Sequence, residues 1–222
     1  MSMEKELTIN ALGAKIVRTP TEASHDDPES NFGVAARLNK EIPNSHILDQ
    51  WNNACNPEAH YSQTAQEILN DFGTDLHMVV MGVGTGGTAT GVGKRLKEEV
   101  PGIKIIGADP YGSILGGEDE YKGQPYKVEG IGYDFFPKTF EKQYIDEFVK
   151  VNDKEAFGTA RALIREEGLL IGGSCGSAMF AALKAAKTLK KGQNCLVILP
   201  DSIRNYMRKF LSDDWMKEND LF

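Results

Sequence analysis

An apolar run that ends in a glycine-rich turn and then opens a helix constrains this chain most, because it occurs twice. HMVVMGV (77–83) runs directly into GVGTGGTATG (82–91), and LLIGGSCGSA (169–178) repeats the pattern. A strand followed by such a turn and a helix is the building unit of parallel α/β sheets, since parallel strands need a crossover and a helix is the usual one. The turn is also an anion site in the making. Free backbone N–H groups and the helix dipole converge on it, and glycine lets a phosphate approach the main chain. The alternative is a tight, hydroxyl-rich turn that holds nothing.

The remaining segments alternate in the same sense. A short helix is expected over Glu4–Leu12, a strand at KIVR (15–18), and a helix through GVAARLNKEI opened by Asp27-Pro28. HILDQ (46–50) reads as a strand, Ala59–Phe72 as a helix, IKIIGADP (103–110) as a strand. FVKV (148–151), the helix Asp153–Glu167, a helix from the second glycine turn to about Leu189, the strand CLVILPD (195–201) and a closing helix complete the chain. The fold class expected is α/β, a doubly wound and mostly parallel sheet covered by helices. Residues 111–138 are irregular for longer than an ordinary loop, and loops of that length are commonly functional. A lobe edge is expected near Asn56-Pro57, dividing residues 1–57 from 58–222.

At 222 residues with 41% apolar and 26% charged content, the chain can bury a sizeable core. Its net charge of -7 and pI near 5.2, with no basic block, argue against a nucleic-acid partner. No segment is long and apolar enough for a membrane span, and MSMEKELTIN is charged where a signal peptide needs an apolar run. A soluble, cytoplasmic protein acting on small molecules is expected. Cys55, Cys175 and Cys195 fit neither a disulfide framework nor a zinc site, and His25, His46, His60 and His77 are scattered singly, so no metal is expected.

Two phosphate motifs compete for the first turn. A Walker A loop fails, because Lys94 is followed by Arg95 where Ser or Thr is required. A dinucleotide fingerprint survives, with Gly82, Gly84 and Gly87 in G-x-G-x-x-G spacing and Asp109 at the end of the next strand as the candidate ribose ligand. Against it, Thr85, Gly86 and Thr88 concentrate donors on a single phosphate. In the second turn Ser174 either caps the helix that follows or donates to a ligand beyond the strand ends.

Taken together, NSHILDQ (44–50), NPEAHY (56–61), GVGTGGTATG (82–91), VEGIGYDF (128–135), EEGLLIGGSCGSA (166–178) and VILPDSIRNYM (197–207) resemble the fold-type II pyridoxal-phosphate enzymes of the cysteine synthase/cystathionine beta-synthase family. The resemblance runs from about Ala11 to Met216. It implies pyridoxal 5'-phosphate as cofactor, with Gly84, Thr85, Gly86, Gly87 and Thr88 around its phosphate and Ser174 at its ring nitrogen. It implies Gln50, Gly130, Gly132 and Tyr133 at the amino-acid substrate. Trp51, next to Gln50, stands where the family has Tyr or Phe. The implied reaction is β-replacement, joining serine and homocysteine into cystathionine, and the implied assembly is a homodimer.

The family's covalent lysine and its Ser/Thr-Gly-Asn loop have no counterpart here, and haem or S-adenosylmethionine sites of some members fall outside the matched span. Lys94 reads as a solvated helix residue. The resemblance therefore implies an N-terminally truncated member, inactive alone, that could instead pair with a full-length subunit without catalysis of its own.

Overall fold

The computed structural model describes residues 1–21, 23–117 and 120–222. Its centre is a four-stranded sheet of β1 (Met78–Gly82), β2 (Lys104–Pro110), β3 (Glu147–Val151) and β4 (Cys195–Val197), in the spatial order β3-β2-β1-β4. All three pairings are parallel, with Met78 opposite both Lys104 and Cys195. The chain steps outward from β1 to β2 to β3 and then crosses back to place β4 on the far side of β1. In an open α/β sheet that reversal leaves a crevice beyond the strand ends. Here it falls between β1 and β4.

The period of two in β1 decides which helices cover which face. Val79, Met81 and Val83 point into one core with Val92 and Leu96 of α5 (Gly87–Glu99) and with Ile105. Met78 and Val80 point the opposite way, toward Ala181, Ala182 and Ala185 of α7 (Gly173–Ala185). A third cluster joins α6 (Asp153–Glu167) to the C-terminal segment through Phe157, Cys175, Tyr206 and Phe210. The limits of α6 follow from local chemistry. Asn152 and Glu155 form a reciprocal capping box, and Gly168 ends the helix at φ 69°.

The N-terminal region holds α1 (Met3–Ala11) and α2 (Asn31–Glu41), each opened by a serine side chain, Ser2 and Ser30. Next, α3 (Cys55–Ala59), a π-helical turn (His60–Thr64) and α4 (Ala65–Phe72) run as one helical stretch. α8 (Asp213–Glu218) closes the chain.

Two expected strands are absent. Residues 15–18 and 46–50 have no ladder partner, and their apolar side chains lie open, Val17 at 60% and Leu48 at 83% exposure. Extended propensity alone makes no strand, because each strand needs a neighbour for its backbone groups. The strand expected over 195–201 is ordered as sheet only through Val197. Of the three thiols, Cys175 is buried, Cys195 half-buried and Cys55 exposed, all unpaired.

Gly176 marks where α7 crosses α6: a Cβ there would enter the Ala156 carbonyl oxygen and lie 2.9 Å from the Ala160 Cβ. Gly176→Ala is expected to destabilise the fold by about 1–3 kcal/mol through overpacking, read as a lower thermal midpoint. Asp146 offers a second test. Burial alone would raise its carboxyl pKa, but the Ile105 N–H at 2.8 Å, Lys97 at 2.8 Å and Lys104 at 3.9 Å outweigh it and hold the pKa below the ordinary range. A depressed folded-state pKa contributes stability above the unfolded value and loses it as pH falls through the folded one. The midpoint difference between the parent and Asp146→Asn is therefore expected to shrink as pH drops below about 4.

Candidate active site

The crevice at the β1/β4 reversal holds a cavity of about 330 Å³. On one side the loop after β1 contributes Gly84, Thr85, Gly86, Gly87 and Thr88; on the other, the start of α7 contributes Ser174. Gln50, Gly130 and Tyr133 line it as well, with Pro200 and Asp201 from the segment after β4. Of the ten residues singled out from the sequence as cofactor or substrate contacts, nine line this cavity, and Gly132 lies outside it. Its N–H donates to the Val83 carbonyl at 2.8 Å, which fastens Gly130–Tyr133 to the end of β1.

The loop can take this shape because its backbone passes others at contact distance. Gly86 is the N-cap of α5 and sits at φ 83°, with the Phe140 Cα 2.6 Å from where a side chain would begin. A Cβ on Gly84 would enter the Gly130 carbonyl oxygen. No side chain caps α5, and none caps α7, whose N-cap is Gly172. In α5 the Gly87 N–H makes one long contact, to Thr85 Oγ1 at 3.5 Å, and the N-cap glycines of both helices have no side chain to offer to their first turns. Ser174 lies inside the first turn of α7, two residues past the N-cap, and does not cap the helix. It is 5% exposed and borders the cavity.

Several residues that the sequence did not single out hold these groups in place. His60, on the π-helical turn, faces Thr88 through Nε2 at 3.1 Å and Thr64 through Nδ1 at 2.9 Å, and burial lowers its pKa. Asn56 Nδ2 donates to Thr85 Oγ1 at 3.0 Å and to the Gln50 carbonyl at 2.7 Å. The Thr139 hydroxyl donates to the Thr85 carbonyl at 2.7 Å. Asp201 connects the α7 turn to the strand end: its carbonyl accepts from the Gly172 N–H at 3.2 Å, and its Oδ2 accepts from Tyr206 Oη at 2.6 Å. Burial and the Asp201 carboxylate push the Tyr206 phenol far above its ordinary pKa, so it stays a neutral donor. Asn56 and His60 fall in NPEAHY and Asp201 and Tyr206 in VILPDSIRNYM, two of the stretches that carry the resemblance, whereas Thr139 falls in none; the contacts themselves mostly join residues far apart in the chain.

Charge in the cleft is mixed. Lys5 from α1 and Lys209 both reach the Glu129 carboxylate, Lys5 at 2.9 Å. Burial works against that carboxylate, but the two lysines outweigh it and keep its pKa low. Tyr133 packs edge-on against Trp51 with centroids 6.4 Å apart, and burial raises its phenol pKa. Lys94 is exposed on α5, over the Tyr61 ring at 5.3 Å. Asp109 is fully buried and bound to Lys150 at 2.8 Å and to the Gly116 N–H at 2.9 Å, so it presents no carboxylate to a ribose. Among the described residues no cluster of His, Cys, Asp or Glu is disposed to hold a metal, and no helix is long and apolar enough to cross a membrane.

The cleft fits pyridoxal phosphate on its own features: two uncapped helix N-termini, a loop whose Cβ positions are already filled by neighbouring atoms, and a buried hydroxyl at the second turn. A family profile described as pyridoxal-phosphate dependent enzyme matches residues 1–201. The chain is 58% identical to mouse cystathionine beta-synthase over 97% of its own length and 39% of that protein. It is 55% identical to the cystathionine beta-synthase of Dictyostelium discoideum over 99% of its length and 44% of that protein. It therefore spans about two fifths of the length of these curated relatives. The crystal structure of an O-acetylserine dependent cystathionine beta-synthase from Helicobacter pylori superimposes with a TM-score of 0.85 at 41% identity, covering 94% of this chain and 66% of that one. The chain belongs to the pyridoxal-phosphate dependent enzyme family, and its parallel sheet is that of the fold-type II members.

Proposed function

We propose that this chain carries the phosphate cradle, the ring-nitrogen partner and one substrate wall of an enzyme that condenses L-serine with L-homocysteine to L-cystathionine. The observation that carries the proposal is the meeting of two uncapped helix N-termini at one cleft, with Ser174 on the second. Gly84, Thr85, Gly86, Gly87 and Thr88 would bind the phosphate through backbone N–H groups and hydroxyls, an arrangement that favours an anion by up to about 2 kcal/mol. His60 would keep the Thr88 hydroxyl oriented. Ser174 would face the ring nitrogen, where a neutral hydroxyl does not force protonation as a carboxylate would. Gln50, Gly130 and Tyr133 would border the amino acid, and Gly132 would set the course of that wall. When bound, pyridoxal phosphate supplies an electron sink that permits loss and replacement of a substituent at the substrate's β-carbon.

Residues 1–57 would belong to a smaller lobe and 58–222 to the larger, cofactor-holding one; all four strands lie in the second span. Pairing with a second copy or a full-length subunit is part of the proposal. It is supported by β4, an edge strand whose residues Cys195–Val197 are only half-buried. No lysine of the chain stands in the family's covalent context, so little cystathionine is expected from the chain alone, measured directly from serine and homocysteine.

Thr88→Val is expected to weaken binding of pyridoxal phosphate about tenfold while leaving the weaker binding of unphosphorylated pyridoxal unchanged, as measured by equilibrium dialysis. Equal loss for both ligands would place the phosphate elsewhere. Gly84→Ala, which forces a Cβ against Gly130, is expected to abolish the preference for the phosphorylated form.

A further inference from the structure

One carboxamide joins two parts of the cleft that come from different segments of the chain. Asn56 Nδ2 carries two hydrogens, and it gives one to the Gln50 carbonyl at 2.7 Å and the other to Thr85 Oγ1 at 3.0 Å. Its Oδ1 rests against the phosphate loop at Gly87, where a Cβ would enter it. Gln50 and Thr85 both line the cavity, whereas Asn56 stands behind them. Thr85 Oγ1 also accepts from the Gly87 N–H at 3.5 Å. Both acceptor sites of this hydroxyl are thus taken from within the protein, and among the described residues nothing receives its one proton. The proton is left for an acceptor in the cavity. On the other side, Gln50 belongs to a surface turn. Asp49 stands at φ 48°, and the Trp51, Asn52 and Asn53 N–H groups bond back to it at 3.3, 3.2 and 2.9 Å.

We infer that Asn56 is a positioning residue that couples the phosphate loop to the amino-acid wall; the inference rests on the phosphate assignment of the loop after β1. An anion that takes the Thr85 proton fixes the hydroxyl, the hydroxyl fixes the carboxamide, and the carboxamide fixes the Gln50 carbonyl. Because both hydrogens belong to one planar group, holding one acceptor sets the direction of the other bond. Thr139 makes a parallel contact of a different kind. Its hydroxyl lies 2.7 Å from the Thr85 carbonyl and 3.2 Å from that of Trp51, so it holds backbone to backbone whether or not the Thr85 hydroxyl is engaged. Asn56 instead bonds the hydroxyl itself. An occupied phosphate site thereby prepares the wall that receives the amino acid, and by linkage an occupied wall tightens the phosphate site by the same factor.

The test uses the 222-residue chain, Asn56→Leu, Thr85→Val and the double variant. Leucine keeps the shape of the asparagine side chain without its donors, and valine removes the hydroxyl. Affinity for pyridoxine 5'-phosphate, which keeps the phosphate and lacks the aldehyde, is measured by calorimetry. Backbone hydrogen exchange of residues 49–53 is followed by mass spectrometry with and without saturating ligand. In the parent the ligand is expected to slow exchange across 49–53 at least about threefold. In Asn56→Leu that slowing disappears while the ligand still protects 84–88, and affinity falls about fivefold. In the Thr85→Val background the same substitution lowers affinity by less than about twofold, since the hydroxyl through which Asn56 acts is already gone. A residue that merely supports the fold would lower affinity by the same factor in both backgrounds, and that result overturns the coupling. Slowing across 49–53 that persists at saturating ligand in Asn56→Leu or in Thr85→Val overturns it too, so Thr85→Val decides the matter if Asn56→Leu does not fold. A parent that binds pyridoxine phosphate without slowed exchange across 49–53 overturns the coupling and leaves the cofactor assignment standing. A parent that binds none overturns the cofactor assignment, and the coupling with it.

Discussion

The close passage of the loop after β1 against the segment 130–132 is the constraint on which the rest of the site depends. Gly84 lies against the Gly130 carbonyl, and the Gly132 N–H bonds to the Val83 carbonyl at 2.8 Å. Because the two backbones touch, the start of α5 is aimed at the crevice and the wall bearing Tyr133 is brought beside it. A side chain at Gly84 would separate them and uncouple the start of α5 from the wall bearing Tyr133.

The second determinant is how charge is arranged around that contact. In this acidic chain the loop after β1 presents backbone donors and hydroxyls to the cavity, with no cluster of cations among its own residues. The cations that are present are matched: Lys5 and Lys209 share Glu129, and Lys150 is spent on Asp109 in the core. Tyr206 and Asp201 then join the α7 turn to the end of β4 by a short hydrogen bond, so the two sides of the crevice are fixed to each other through the sheet.

Much of this was legible in the sequence where the cause is local. The apolar run HMVVMGV marks β1, the helix expected over Asp153–Glu167 coincides with α6, and the glycine turns mark the two helix starts that meet at the cleft. Local signals failed at 15–18 and 46–50, where extended propensity had no neighbouring strand to pair with. They also failed for His60, Thr139, Lys5 and Asp201, whose roles arise from contacts that span up to 201 residues of chain, as Lys5 to Tyr206 does. The pattern around Ser174 left capping and ligand contact open; the helix begins earlier, at a Gly172 N-cap, which decides against capping.

The π-helical turn at His60–Thr64 changes the phase of the helical stretch that runs from Cys55 to Phe72. A wider turn inserts an extra residue into the α-helical count, so residues before and after it address different surroundings. Asn56 and His60 serve the loop, whereas Ala65 and Ile68 enter the core. The stretch therefore works as an adapter between two incompatible periodicities. Sequence length within it is as much a determinant of the site as residue identity, and a shortened version would have to give up either the loop contacts or the core.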